Sequence, residues 1–516
     1  MDGSRHAAAE QLFVLITAAH EREQEKGYPM EDDSTLGCPF AASLRHEEPQ
    51  PLASHSSHSD HGAALPLGVD RVRKRPERFE PIPVARGQGS GVPGMEGLLL
   101  LRGLLKDPAA QLDVYRRRYG NIFSYPVRPL YEEVFYIFSL DAYKKLLDVS
   151  PEDGLTAGPV RALIPTLGKW FPRSDSDPGY VEKLVVSGRA FIGSLLKERL
   201  PQVESIVERT VRSTVARWSG EIDLSRELVD LVYDCSARAV VGDEVWEHIG
   251  AVARPALRRI ARGIEIPRIV LGLSPIGRLT PEHRAVKDLY RAIQDLQAAH
   301  RRTGAYPILD RIAEIEIDGR RLPAGDVPWI LYYILWSAVT YPGTYGFWGF
   351  VDILTRPKVL NALREAAPGE RVRLIRHCLT ETMRLHPVIT LARMTTQPLE
   401  VECDGRWYRI PADRIVIVTP YAFNSDPERF EAPREYNPWR YDEGGPSAHV
   451  FGRGAYGCVA QNYVYTLLGA VFSEVLERRS LRSAEATAPS RKCNVHLMYP
   501  LQPFHAWVDP MRSRSA

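Results

Sequence analysis

The feature that most narrows the choice of fold is the run Phe451-Gly452-Arg453-Gly454-Ala455-Tyr456-Gly457-Cys458-Val459-Ala460. Three glycines within seven residues let a backbone turn tightly and lie close to a flat ligand. From Gln461 to Arg479, apolar and polar side chains follow one another at helical spacing, so Cys458 stands where a helix begins. The partial positive charge at that terminus favours a thiolate, and a bound metal would keep the sulfur deprotonated outright. A glycine-rich turn around a buried structural cysteine is the alternative.

Upstream, Leu374 to His386 reads as a helix that Pro387 ends, with Glu381 and Arg384 three residues apart on one face. Such pairs are common on solvated faces, so a second arginine must complete a buried cluster. Two are available: Arg429, in Pro427-Glu428-Arg429-Phe430, and Arg440, in Pro438-Trp439-Arg440-Tyr441. Taken with the glycine-rich turn, these segments resemble the cytochrome P450 family, whose haem-binding loop reads Phe, two residues, Gly, three residues, Cys. That family follows its helical Glu/Arg pair with Asp-Pro, two residues, Phe, and then Pro-x-Arg-aromatic. Asp426-Pro427 and Phe430 fill the first part of this pattern, so Arg440 and not Arg429 is the expected partner. The motifs lie in the last third of the chain, and looser similarity reaches back to about residue 105.

The resemblance implies a mainly α fold with small β-sheets (α+β), the cytochrome P450 fold. It further implies a haem b, iron protoporphyrin IX, held by Cys458 as the metal ligand. Phe451, Gly452, Gly454, Tyr456 and Ala460 would line the cofactor, and Glu381, Arg384 and Arg440 would form a structural triad. Arg393, six residues beyond Pro387, matches the family's strand arginine and is the expected propionate partner, with a surface ion pair as the alternative. Several positions depart from the family. Tyr456 stands where Arg or His is usual, Ala460 replaces a glycine, and Tyr180 and Leu184 occupy the places of a basic pair.

Composition sets the wider bounds. The 516 residues, 44% hydrophobic, suffice for one large mixed domain or two ordinary ones. Lysine and arginine number 66 against 64 acids, which gives no electrostatic case for nucleic acid or an anionic membrane. Cys38, Cys235, Cys378, Cys403, Cys458 and Cys493 are scattered, without the close pairs of a zinc or disulfide framework. A reducing, cytoplasmic setting is expected. Residues 1–75 read as a partly disordered extension and 76–516 as the haem domain. The extension holds a short apolar stretch within Ala7 to Gln24, too short to span a bilayer. It also holds a histidine-rich run, Ser54 to His61, read as a linker with metal binding as the alternative, and a basic link from Arg71 to Arg78.

Further along, a helix is expected over 107–119 and strands over 122–127 and 134–138. Helices follow within 183–218, 223–241 and 254–271, the last where the family builds its variable substrate lid. Strands are expected over 399–403, 407–410 and 415–420, as a small sheet beside the haem, and a final hairpin over 495–499 and 503–508. Between Asp326 and Asp352 lie twenty-five residues without a formal charge. The length suits a membrane span, but Thr340, Pro342, Gly343, Thr344 and Gly346 occupy its middle and interface anchors are lacking. A buried central helix kinked at Pro342 is preferred, with no membrane span.

This helix departs most from an ordinary monooxygenase, which the family builds with an acid or amide followed by a threonine to deliver protons. Counting back from Pro357 without gaps puts Tyr341 at the alcohol and Thr340 at the acid; a slip of one residue puts Val339 at the acid. Either way the carboxylate is missing. The same count places Trp348 where the sterol 7-hydroxylase and prostacyclin synthase branches carry tryptophan. Val339, Thr340, Tyr341 and Thr344 are the expected catalytic pocket residues.

Three functions follow. One is an O2-dependent monooxygenase served by ferredoxin/reductase-type electron donors and acting on an apolar small molecule such as a lipid, terpenoid, polyketide or aromatic metabolite. The second is a P450-fold isomerase, dehydratase or peroxygenase that needs no redox partner. The third is a haem-binding sensor or inactive scaffold.

Overall fold

A helix without charged residues should be largely buried, and the run between Asp326 and Asp352 is, except at Tyr333, Trp336, Ser337 and Tyr341, which are half-buried. The computed structural model describes residues 78–85, 108–127, 131–149, 154–156, 178–263, 279–387, 391–442, 445–454, 457–493 and 497–509. The apolar stretch within 7–24, the histidine run 54–61, nearly all of the basic link 71–78 and the pocket-lining candidate Tyr456 lie outside the described residues.

In chain order the helices are α1 (Pro108–Tyr119), α2 (Leu140–Leu147), α3 (Pro178–Arg199), α4 (Val203–Val215), α5 (Leu224–Val241), α6 (Asp243–Gly263), α7 (Pro281–Thr303) and α8 (Pro307–Ala313). The central helix runs as α9 (Val327–Leu335), a π segment (Trp336–Thr340) and α10 (Tyr341–Leu354), and is followed by α11 (Pro357–Glu365), α12 (Pro368–Leu385), α13 (Pro420–Asn424) and α14 (Gln461–Arg478). Strands β1 (Ile122–Val127), β2 (Tyr131–Ile137), β3 (Leu155–Thr156), β7 (Leu391–Thr395) and β10 (Ile415–Val418) form one sheet in the order β1-β2-β10-β7-β3. Within it only β10 and β2 run parallel, with Ile415 opposite Val134. The remaining strands make small antiparallel sheets: β4 (Gly220–Asp223) with β14 (His505–Asp509) and β11 (Ser480–Ser483), β5 (Glu316–Ile317) with β6 (Arg320–Arg321), β8 (Leu399–Cys403) with β9 (Arg406–Ile410), and β12 (Arg491–Cys493) with β13 (Met498–Pro500). The fold is mainly α with small sheets.

Two strand expectations change. The run 415–418 leaves the 399–410 hairpin and joins the five-stranded sheet beside β2 and β7. Residues 498–500 do not pair with 505–509; they pair back onto Arg491–Cys493, while β14 inserts between β11 and β4. Pro500 and Pro503 lack the N–H groups that a continuous ladder would require.

Glycines let neighbouring helices close onto α10. An added Cβ at Gly343 would stand 2.2 Å from Tyr233 Cε1 of α5, at Gly346 2.9 Å from Val232 Cγ2, and at Gly349 2.6 Å from Phe472 Cζ of α14. Burial over most of its surface makes this a core helix, and among the described residues no helix is long and apolar enough to cross a membrane.

The expected opening at Pro342 takes the form of the π segment just ahead of it. Pro342 has no N–H to offer the Ala338 carbonyl, and Ser236 Oγ from α5 donates to that oxygen at 2.5 Å while also meeting Tyr463 Oη at 2.8 Å. An acceptor freed inside one helix is thus satisfied from another. Ser236→Ala should leave the buried carbonyl without this donor and cost roughly 1–3 kcal/mol, read from urea unfolding of the protein.

Candidate active site

The glycine-rich turn closes on itself before the helix starts. The Cys458 N–H donates to the Phe451 carbonyl at 2.7 Å and the Gly457 N–H to the Gly454 carbonyl at 2.9 Å. Gly452 and Gly454 are left-handed, with φ of 72° and 64°. At Gly454 a side chain is excluded, because a Cβ there would lie 1.9 Å from the Leu147 carbonyl at the end of α2. Arg453 Nε pins the same junction by donating to both Asp148 oxygens, at 3.0 and 3.1 Å. Ala460 is the N-cap residue of α14 and takes the Val464 N–H at 2.8 Å, so Cys458 sits two residues before that cap. Phe451 packs edge-on against Tyr465 at 5.3 Å, whose hydroxyl meets Thr380 Oγ1 of α12 at 2.8 Å.

Cys458 is exposed, yet protein surrounds it closely enough that burial pushes its thiol up. The Ala460 backbone N–H and the Arg189 guanidinium pull in the other direction. Arg189, on α3, also donates to the Gly457 carbonyl. Sequence reasoning assigned this residue no role; its one signal was a base in the largely apolar stretch Leu184–Leu196. The neighbouring positions where bases were sought serve packing. Tyr180 Oη donates to Asp326 Oδ2 at 2.6 Å, and Leu184 is buried in the core.

Glu381, Arg384 and Arg440 meet. Arg384 holds both Glu381 oxygens at 2.8 Å, Arg440 Nε reaches Oε1 at 3.0 Å, Tyr441 Oη donates to Oε2 at 2.6 Å, and the Asn437 N–H reaches Oε1 at 3.0 Å. Arg429 stays apart, donating to the Phe423 and Ser447 carbonyls. Burial works against ionisation of Glu381, but the Arg384 fork, Tyr441 and Asn437 outweigh it and hold the carboxyl below its usual range. A second buried carboxylate lies nearby. Asp352, at the end of α10, accepts from Thr382 Oγ1 at 2.9 Å and Arg356 at 3.0 Å and meets His386 Nε2 at 3.2 Å. Trp348 stacks on His386 at 4.3 Å and donates to the Met498 carbonyl at 2.7 Å. Burial opposes ionisation of Asp352 as well, and His386, Arg356 and Thr382 hold it low.

The four expected pocket residues of the central helix do not share one direction. Tyr341 lies within electrostatic reach of Cys458, and burial, Tyr333 and Cys458 together push its phenol well up. Thr340 Oγ1 is buried without a hydrogen-bond partner, close to the Tyr233 phenol of α5. Thr344 donates to the Thr340 carbonyl at 3.3 Å and lines a cavity of ≈ 30 Å³ with Ser225, Tyr233 and Arg258. Val339 is fully enclosed in the main core. The added residue in the π turn rotates successive side chains out of the phase that a straight helix would give. Of the four, Tyr341 is the one with an electrostatic link to Cys458.

Arg393, on β7, lies at the edge of this region. It donates to the Ala392 carbonyl at 2.9 Å and acts electrostatically on the buried Tyr143 phenol of α2. The residues fit a haem. A single thiol is flanked by an N–H and a guanidinium, as a thiolate ligand would need. No group of three or more His, Cys, Asp or Glu among the described residues offers an alternative metal site.

Glu381→Gln should leave Arg384 and Arg440 without their shared anion, costing about 3–5 kcal/mol in urea unfolding at neutral pH. Glu381 and Asp352 both have depressed folded values. Their contribution is therefore complete above the ordinary carboxylate range, about pH 4, and is lost as pH falls through the folded values. Unfolding followed down the pH scale should show a smaller acid-dependent loss in Glu381→Gln and Asp352→Asn than in the parent.

Comparison with known proteins bears on the same residues. The cytochrome P450 family model matches residues 348–503. The human lanosterol 14-alpha demethylase is 25% identical over 451 residues, covering 81% of this chain and 82% of the relative. Sterol 14-demethylase of Arabidopsis thaliana is 22% identical over 411 residues, covering 73% and 82%. Salviol synthase of Salvia pomifera is 25% identical over 266 residues, covering 47% and 52%. The matched segment runs through Glu381, Arg384, Arg440 and Cys458, and over it the chain is similar to the cytochrome P450 family.

Proposed function

We propose that this protein is a haem-thiolate monooxygenase that carries haem b on Cys458, within a haem domain spanning 76–516 after an extension over 1–75. It would use O2 and ferredoxin/reductase-type electron donors to oxidise an apolar small molecule. The observation that carries this reading is the placement of Cys458, alone among the described cysteines, in a closed glycine turn two residues ahead of the α14 cap. The printed names of the relatives, sterol and lanosterol demethylases and a plant synthase, favour a large apolar substrate.

When bound on Cys458, haem would supply dioxygen activation, and the thiolate would favour O–O cleavage. The chain's own residues do the rest. Gly454 lets the cysteine turn close against the end of α2, Ala460 N–H and Arg189 favour the ionised sulfur, and the Glu381 cluster fixes α12 relative to the segment that leads into the turn. Tyr341 holds its proton at neutral pH because its phenol is pushed up, so it presents a neutral hydroxyl donor in place of the family's acid and alcohol. The same substitution supports a second reading, an isomerase, dehydratase or peroxygenase that receives oxygen already reduced within its substrate and needs no external electrons.

Cys458→Ala should abolish the ferrous–CO band of a thiolate-ligated haem; a band unchanged in that variant defeats the reading. Oxygen-dependent turnover with NADPH and surrogate ferredoxin and reductase supports monooxygenation, and turnover of a hydroperoxide without reductant supports the second reading. Tyr341→Phe should keep the ferrous–CO band while product formation falls by roughly tenfold or more. An unchanged rate would remove Tyr341 from the proton-donor role.

A further inference from the structure

The ≈ 30 Å³ cavity between α5, α6, α10 and β13 has two arginines in its wall, Arg258 and Arg262 of α6. It has room for about two water molecules, the size of one carboxylate group and not of a ring. The Tyr233 and Thr344 side chains also line it, and Phe347 and Met498 give it an apolar wall. Positive charge is in excess there. Arg258 is paired with Asp230 of α5. The next carboxylate on α5, Asp234, is taken by Arg254 and by the Trp246 indole N–H, the latter at 2.8 Å. Arg262 is exposed and makes no ion pair or hydrogen bond with any described residue. Two cations thus stand against one carboxylate at a small concave site, which concentrates their field on whatever enters. The dipole of α6 favours a cation in its last turn, but it does not require a cavity in front of that cation.

The cavity also lies near the centre of the site described above. Thr344 follows Tyr341 by three residues, about 4.5 Å along the axis of α10, and Tyr341 is within electrostatic reach of Cys458. We infer that the cavity is a carboxylate subsite, in which Arg262 and Arg258 hold the acidic end of an elongated substrate whose apolar body lies along the central helix. This deepens, and rests on, the reading of the protein as an enzyme that acts on an apolar small molecule. The carboxylate accepts guanidinium N–H bonds and no proton changes owner.

The test measures binding of dodecanoate, dodecanol and acetate by calorimetry, in the haem-loaded parent, Arg262→Gln and Arg262→Lys, while the ferric haem spectrum is followed in the same titrations. The parent should bind dodecanoate on the order of ten times tighter than dodecanol, with a shift of the haem band. Arg262→Gln, a change at an exposed position, should lose that preference by weakening dodecanoate alone, and Arg262→Lys should keep part of it. Equal affinity for acid and alcohol in the parent, or a preference undiminished in Arg262→Gln, overturns the subsite. Acetate binding as tightly as dodecanoate, with no haem shift from either, marks a site for a free small anion and overturns its role in holding substrate. A parent that takes up no thiolate-ligated haem overturns the Cys458 reading, and the acid preference read by calorimetry on that protein still decides the subsite.

Discussion

Glu381 is the anchor on which the proximal half of the molecule depends. Its two oxygens take five hydrogen bonds, from Arg384, Arg440, Tyr441 and the Asn437 backbone, which fills the acceptor sites a carboxylate has. Arg384 in turn reaches the carbonyls of Asn424, Pro433 and Glu435, and Arg440 those of Glu431 and Glu435. A long stretch with little regular structure, from Asn424 to Tyr441, is thereby tied to one point on α12. Such a stretch has little core of its own, so charge-assisted bonds to its backbone hold it where hydrophobic burial alone would not. The turn that carries Cys458 begins only a few residues later.

How much of this was visible in the sequence follows from the range of each interaction. Short motifs with fixed spacing, Glu381 to Arg384 and Phe451 to Cys458, report local geometry, and the structure builds both as spaced. Choosing Arg440 over Arg429 needed only the count from Asp426, and the contacts agree with that count. Pairing across a distance was harder to see. The final hairpin was misassigned because alternation marks a strand without naming its partner, and β14 found β11 and β4. Arg189 and Tyr143 escaped for the same reason. One acts on residues 268 positions away, and the other takes its character from β7 and from the residues before the turn.

Electrostatically, arginines from several elements act near the cysteine turn. Arg189 of α3 acts on the Cys458 sulfur, while Arg393 and Arg453 act on the Tyr143 phenol of α2. Tyr333 and Tyr341 both feel Cys458, and Tyr333 feels Arg189 as well. Burial raises all three phenols, which therefore stay neutral donors at neutral pH.

The widened turn at 336–340 also sets how this chain can be lined up with its relatives. Because Ser236 braces that turn from a different helix, the extra residue belongs to the resting architecture and does not wait for a ligand to produce it. Each residue gained or lost in such a turn swings everything beyond it by about 100° around the axis. Position numbers carried across from a straight helix therefore hold on one flank only. Numbering from Asp326 forward and from Pro357 backward gives two frames that disagree at the turn, and the unbroken backward count (Tyr341, Thr340) and its one-residue slip (Thr340, Val339) meet at its edge.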